Sequence, residues 1–516
     1  MNKIIEELNS TIKTAFINAG FDVENISVQP CSISSLGDFQ CSSALSLAKQ
    51  FGKAPLFIAE EVIKHLPQNS IIASAELAKP GYINIFVDNN FINSRLALAY
   101  QEINTPLDAE NQKTIIDYGG PNVAKPLHVG HLRSGTIGEA IKRICKFVGN
   151  PTIGDVHFGD WGLPIGMVIS ELERLHPEWV YFDPNFNGEY PENPPFTNQD
   201  IENIYPEASK KAKADENLMK IAQTATVELQ EGRRGYVALW NHIMQVSKAD
   251  VREIYGILNI DFELWLGESD TQKACTPLIE KITQSGHAHK SQGALVIDVA
   301  ESDDKIEVPP FMLQKSDGGI TYATTDLATI IQREQELGAK RIIYIVDKRQ
   351  DLHFTQVFRA ARKTGLVSNA LQLDFVGFGT MNGKDGKPYK TRDGGVMQLK
   401  VLINETKAAA TKKIEEAKGG NIEYSQEEMA LISERVAVAA LKFADLSIYR
   451  SKNYIFDVEK FCSFEGKTGP YILYTITRAK SILRKANYAE TFAGHNLVEY
   501  VNRELLLTLL SFKTEI

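Results

Sequence analysis

Pro121-Asn-Val-Ala-Lys-Pro-Leu-His-Val-Gly-His-Leu-Arg-Ser-Gly135 is the stretch around which the rest of the chain is read. A β-branched apolar run, Thr114-Ile-Ile-Asp-Tyr118, leads into it, and Gly119-Gly120-Pro121 punctuates the exit. After Pro126 the spacing of apolar positions predicts an amphipathic helix reaching about Phe147. The unit is therefore strand, loop and helix, and its loop delivers Lys125, His128 and His131 to a helix N-terminus. Unpaired backbone N–H groups and the helix dipole there favour an anion, above all a phosphate. His128 and His131 are three apart and share a face. Gly130 between them removes a side chain, so a flat base or sugar can approach the backbone. Two histidines so spaced could also hold a metal, but no Cys or acidic partner lies near them in sequence.

Composition bounds the rest. At 516 residues the chain is too long for one core. With 43% hydrophobic and 23% charged residues it is ordinary globular material. No run approaches the roughly 18 apolar residues of a membrane span. The N-terminal MNKIIEELNSTIKTAF lacks the apolar core and cleavage site of a secretory signal. Five cysteines lie far apart without a C-x-x-C pair, which predicts reduced thiols in a cytoplasmic protein and no zinc site. The net charge of −9 does not advertise a nucleic-acid partner, yet residues 431–486 hold ten Lys/Arg against five Asp/Glu. Residues 384–413 hold eight against three. Such basic stretches are either solvated helix faces or a docking surface for an acidic partner.

In chain order, residues 1–110 read as an α+β unit, with helical spacing over Ile4–Ala19 and Ala44–His65 and a strand near 81–87. From Lys113 strands alternate with helices, the signature of a parallel sheet. Residues 176 to about 206, rich in Pro, Asn and aromatics, read as an irregular insertion, and charged helices follow to Leu258. A strand at 294–299, a hairpin turn at Asp317-Gly-Gly319, a helix over 322–337 and strands at 341–347 and 375–381 come next. After about residue 400 the strands are expected to stop and helices to run on, one opened by the capping box Ser425-x-x-Glu428. Known phosphate loops do not fit. Gly466-Lys467-Thr468 ends like a Walker A motif, but Phe461 stands where its first glycine belongs. No G-x-G-x-x-G follows a strand.

HVGH is a variant of the HIGH signature of class I aminoacyl-tRNA synthetases, and PNVAKPLHVGHLRS resembles the arginyl-tRNA synthetase form of it. HFGDWG (157–162), LGES (266–269), TYATTDLA (321–328), RQDLHFTQVF (349–358), KPYKTRDGG (387–395) and SFEGKTGPYILY (463–474) resemble the same family in the same order. So do GDFQ (37–40) and LAKQFGKAPLFIAEE (47–61), and the likeness spans nearly the whole chain. It implies an α/β fold: a Rossmann-like parallel-sheet catalytic domain over 111–400, with an insertion at about 176–260. An N-terminal tRNA-contacting α+β domain (1–110) would precede it, and a C-terminal all-α anticodon-binding domain (401–516), expected to be incomplete, would follow.

The implied reaction joins arginine to AMP from ATP, then passes it to the terminal ribose of tRNA(Arg). No protein nucleophile is needed, and catalysis is positioning plus electrostatic stabilisation. ATP with Mg2+ is expected as substrate, with no prosthetic group, no membrane partner and a monomeric enzyme. The resemblance puts Lys125, His128, His131, Lys390 and Arg392 in catalysis. It puts Pro121, Lys125, His128, Gly130, His131, Trp161, Gly162 and His353 around ATP, with Pro121 to His131 as the HIGH region. Glu268, Tyr322 and Asp326 are expected to take the guanidinium, whose planar fork pairs best with carboxylates. Asn122 and Gln350 are expected to hold the α-amino and carboxylate groups. Tyr322 and Asp326 are four apart on one helix face, although any single acid taken alone is more simply a solvated surface group.

The chain departs from the family in three places. Gly120 replaces the serine before Pro-Asn, Leu163-Pro164 follows GDWG where a polar residue is expected, and the KMSK signature is degenerate among Lys387, Lys390 and Arg392. Lys125 stands where a lysine before HIGH compensates for that loss. A non-catalytic tRNA-binding paralogue and a class I synthetase for another amino acid are the competing readings.

Overall fold

The structure is a computed structural model and describes residues 2–68, 71–102, 105, 112–387, 389, 397–417, 424–487, 497–499 and 501–515. It separates into two compact units, one of residues 1–107 with 485–516 and one of residues 108–484.

The first unit holds α1 (Asn2–Asn18), β1 (Val28–Pro30), β2 (Phe39–Cys41), α2 (Ser43–Phe51), α3 (Pro55–Lys64), β3 (Ile72–Ala78), β4 (Tyr82–Val87) and α4 (Asn89–Gln101). Pro55 opens α3 at a position where its missing N–H has no helical partner to lose. The strands form an antiparallel sheet in the order β1-β2-β4-β3. Ile4, Leu8, Ile12 and Phe16 recur at helical spacing on α1 and are buried against Ile83 and Ile85 of β4 and their neighbours. The final helix of the chain also belongs here: its Leu506 and Leu510 enter the same core, and Arg503 bonds both carboxylate oxygens of Asp38.

The second unit begins with β5 (Thr114–Tyr118), α5 (Val129–Phe147), β6 (Thr152–Asp155) and α6 (Leu163–Leu175). Then come α7 (Asn198–Ala214), α8 (Glu216–Gln230), α9 (Arg234–Ile257) and α10 (Glu268–Gln284). A small antiparallel sheet of β7 (His289–Ser291), β8 (Ala294–Ile297) and β9 (Phe311–Gln314) precedes α11 (Tyr322–Gln335), β10 (Arg341–Asp347), α12 (Asp351–Lys363) and β11 (Gln372–Phe378). The remainder is β12 (Met381–Asn382), α13 (Leu399–Ala417), α14 (Gln426–Leu446), β13 (Tyr454–Ile455), α15 (Val458–Phe461) and α16 (Gly469–Lys485), with α17 (Arg503–Glu515) closing the chain.

Four parallel strands lie in the order β11-β10-β5-β6. Ile115, Ile116, Ile342 and Ile345 are fully covered, as expected of strands with helices on both faces. The order reverses between β5 and β10. In such sheets ligands bind outside the strand C-termini at that reversal. The HIGH-like loop leaves β5 there, and Gln350 and His353 follow β10.

Three expectations shift. The irregular insertion ends at 197, because Thr197 and Asp200 form a capping box that starts α7, which continues through Pro206. Strands do not stop at 400: Tyr454–Ile455 pairs in parallel with Met381–Asn382. No boundary between compact units falls at 400 either, since Leu399, Leu402, Ile403, Val436 and Ala440 share the core of α5 and β10.

Candidate active site

The loop after β5 is shaped by two glycines. Gly119 sits in the left-handed region, φ 74°, and its N–H donates to Ser134 Oγ, which in turn donates to the Ile345 carbonyl of β10. Gly120 is required by space: a Cβ there would lie 1.9 Å from the His157 carbonyl oxygen. The departure from the family serine is thus a packing matter, the loop lying directly on the chain that leaves β6. Gly120→Ser should therefore lower activity and cost about 1–3 kcal/mol in melting experiments. Tighter arginine binding by that variant would instead mean that the family serine's lost hydrogen bond to substrate matters more than the packing. Beyond it, Val123 N–H donates to the Gly159 carbonyl, and Gly159 N–H donates to that of Pro121, so Pro121 and exposed Asn122 run alongside Gly159.

His128 is the N-cap of α5. Its Nδ1 accepts from the Gly130 N–H at 3.0 Å, and His131 Nδ1 accepts from the His128 N–H at 2.9 Å. The ring centroids are 4.0 Å apart. An accepting Nδ1 places the ring proton on Nε2, so both neutral imidazoles keep an Nε2–H donor free of the cap. Burial, then the charges of Arg349 and Lys125, hold His128 below the ordinary histidine range. Burial, then His128 and Lys125, hold His131 well below it. The pair is thus a set of neutral donors at a helix N-terminus, in the positive field of Lys125.

Glu268 opens α10, and Asp160 lies buried beside it, accepting from Ser269 N–H at 3.0 Å and Ser269 Oγ at 2.7 Å. Asp326, half-buried on α11, faces Glu268 closely enough to raise it: burial first, then the charges of Asp326 and Asp160, push the Glu268 carboxyl up to about 7. His353 Nε2 stands 2.6 Å from Asp326 Oδ2, and the exposed Tyr322 ring lies 4.9 Å from the His353 ring. His353, expected with Trp161 and Gly162 in the nucleotide and pocket walls, has Asp326 as its carboxylate partner. Trp161 packs edge-on against Trp240 at 5.1 Å, and Gly162 caps α6. Gln350 is exposed at the start of α12. Lys387 is exposed, and Lys390 and Arg392 lie outside the described residues.

Sequence reading missed the groups beneath this floor. Arg333, fully buried, donates to Asp117 Oδ2 at 2.7 Å and Asp155 Oδ2 at 2.6 Å. It is seven residues beyond Asp326, two turns along the same face of α11, so it ties the helix bearing Tyr322 and Asp326 to β5 and β6. His157 stands 3.5 Å from Asp155. Burial alone would raise Asp155, but His157 and Arg333 overcome it and hold that carboxylate well down. Asp117, Asp155 and His157 are the one group of three possible metal ligands among the described residues. Arg333 already occupies an oxygen of each carboxylate and sets a fixed positive charge between them, so the group does not fit a resident divalent ion. Asp160 and Arg349 had a signal, since both stand inside quoted motifs; Arg333 had none.

Comparison with known proteins identifies the family. Residues 95–458 match the family model "tRNA synthetases class I (R), catalytic domain", and residues 2–87 match "Arginyl tRNA synthetase N terminal domain". The chain belongs to the arginyl-tRNA synthetase family. A relative within this family from Alkaliphilus oremlandii, named arginine–tRNA ligase, is 48% identical over 99% of this chain and 87% of its own. One from Agathobacter rectalis with the same name is 48% identical over 94% and 82%. Among solved structures, the Plasmodium falciparum arginyl-tRNA synthetase superposes with a TM-score of 0.74 at 25% identity, covering 98% of this chain and 85% of that one. The Thermus thermophilus enzyme, at a TM-score of 0.73 and 22% identity over 99% and 86%, shares the fold. Among the described residues no helix is long and apolar enough to cross a membrane.

Proposed function

We propose that this arginine–tRNA ligase activates arginine in the crevice between β5 and β10 and charges tRNA(Arg) from there. The arginine carboxylate oxygen attacks the α-phosphorus of ATP, the bond to the bridging oxygen breaks, and pyrophosphate leaves. Negative charge grows on phosphate oxygens, and the Nε2–H groups of His128 and His131, with the Lys125 ammonium, are the donors that meet it. Asn122 and Gln350 hold the α-amino and carboxylate end. Pro121, Gly130, Trp161 and Gly162 wall the nucleotide. In the second step the terminal ribose hydroxyl of the tRNA attacks the arginyl carbonyl, and AMP departs. Magnesium enters with the pyrophosphate oxygens of the nucleotide, and no protein ligand is assigned to it.

The observation that carries the reading is the Glu268–Asp326 pair. Burial first, and then the charges of Asp326 and Asp160, lift Glu268 to about 7, so the pocket is built for a cation. An apolar amino acid would leave Glu268 uncompensated, which disfavours a synthetase of other specificity.

The test is arginine-dependent ATP–pyrophosphate exchange in the presence of tRNA. Asp326→Asn should raise the KM for arginine at least tenfold with a smaller change in kcat. The pH dependence has a defined sign. Arginine pairs with ionised Glu268, so its KM should be flat above about pH 7 and climb up to tenfold per unit below, with a proton released on binding. An arginine KM that is indifferent to pH across this range, or to Asp326→Asn, removes the guanidinium assignment.

A further inference from the structure

We propose that Tyr205, on the inserted helix α7, is the positioning residue for Lys125, its ring face seating the ammonium beside the two imidazoles. This rests on the ATP-site reading above. The Lys125 Nζ lies 5.0 Å from the centre of the Tyr205 ring, within cation–π range. Among the described residues no carboxylate is within ion-pairing distance of it. The distinction matters chemically. A carboxylate seat would neutralise the ammonium and repel a triphosphate, whereas a ring holds the cation and leaves its charge whole.

The ring is itself held. Tyr205 is half-buried against the main core and against the small core of Met167, Ala208, Ala212 and Ala222 between α6, α7 and α8. Lys211 of α7 pairs with Glu171 of α6 at 2.6 Å, and α6 starts directly after Gly162 at the nucleotide wall. Pro206 follows Tyr205 inside α7, and an internal proline removes a helical hydrogen bond and bends the axis there. On the loop side, Ala124 takes a positive φ of 66°, turning the chain immediately before Lys125. The charge so placed bears on both His128 and His131.

The test is calorimetric titration of the full chain with ATP, using wild type, Tyr205→Leu, Lys125→Ala and the double variant, with Tyr205→Phe as the conservative change. Tyr205→Leu should weaken ATP binding about three- to thirty-fold. In the Lys125→Ala background the same change should alter it less than about twofold, and Tyr205→Phe should stay within about twofold of wild type. Equal losses in both backgrounds would make Tyr205 a packing residue only, and no loss in a folded Tyr205→Leu protein would likewise overturn the proposal. If Tyr205→Leu does not fold, Tyr205→Met fills the space without a ring and replaces it in the cycle. ATP binding without arginine-dependent exchange would defeat the functional reading and leave this cycle valid. Absence of ATP binding by wild type would defeat both.

Discussion

Replacing Arg333 by methionine should destabilise the second unit by about 3–5 kcal/mol, because breaking a buried pair strands charge in a low dielectric. Its guanidinium is fully covered and is hydrogen-bonded to both Asp117 and Asp155. Without it, the buried Asp155 and half-buried Asp117 carboxylates face each other beside His157, and one must take up a proton or draw in water. Urea unfolding of the variant reads the loss. Neutralising the whole group, with Asp117→Asn, Asp155→Asn and Arg333→Met together, should recover much of it, since the penalty lies in the uncompensated charges. A single variant within about 1 kcal/mol of wild type would mean that the cluster is solvated in solution. The residue touches no substrate, so activity should fall through arginine KM as α11 loses its anchor to β5 and β6.

The second large effect concerns His131. Removing one preorganised donor from a transition state costs roughly 100- to 1,000-fold in kcat. The side chain also caps the loop by accepting from the His128 N–H, so His131→Ala mixes a catalytic loss with a structural one. His131→Asn separates them, because its amide oxygen can accept the same N–H while the Nε2–H is gone. We expect kcat for exchange to fall by about 100-fold or more in both variants, with a normal melting profile for His131→Asn. Retention of more than about a tenth of wild-type kcat by His131→Asn would make the ring a cap and little else.

Much of this site is written locally in the sequence. The β-branched run to Tyr118, the glycine pair, Pro126 and the periodicity to Phe147 are neighbour-to-neighbour signals, and α5 ends at Phe147 as they require. Tyr322 and Asp326 share a helix, and their spacing puts them on one face, although their role is legible only through the family resemblance. What stayed hidden depends on distance along the chain. Arg333 meets Asp155, 178 residues away, and nothing near either one announces the other. Arg133 of the HVGH stretch is similar: it is fully buried and bonds Asp445, 312 residues on, together with the Gly379 carbonyl. Residues 198–206 misled for a local reason. Pro206 and the polar composition around it argue for a loop, but the Thr197–Asp200 box and packing on α6 override propensity. The two-residue pairing of β12 with β13 is too short for any periodicity to reveal.

The place of α17 bears on how the protein is made. Arg503 holds Asp38, and Leu506 and Leu510 enter the core shared by α1, α4 and the antiparallel sheet, so residues 1–107 lack part of their interior until α17 has been made. Roughly 400 residues must be synthesised before that part arrives, which at about 5–20 residues per second is some 20–80 seconds of waiting. During that interval residues 1–107 carry an uncovered apolar patch, and Asp38 has the Val87 N–H but not the Arg503 guanidinium as partner. This unit is completed only after residues 108–484 have been synthesised.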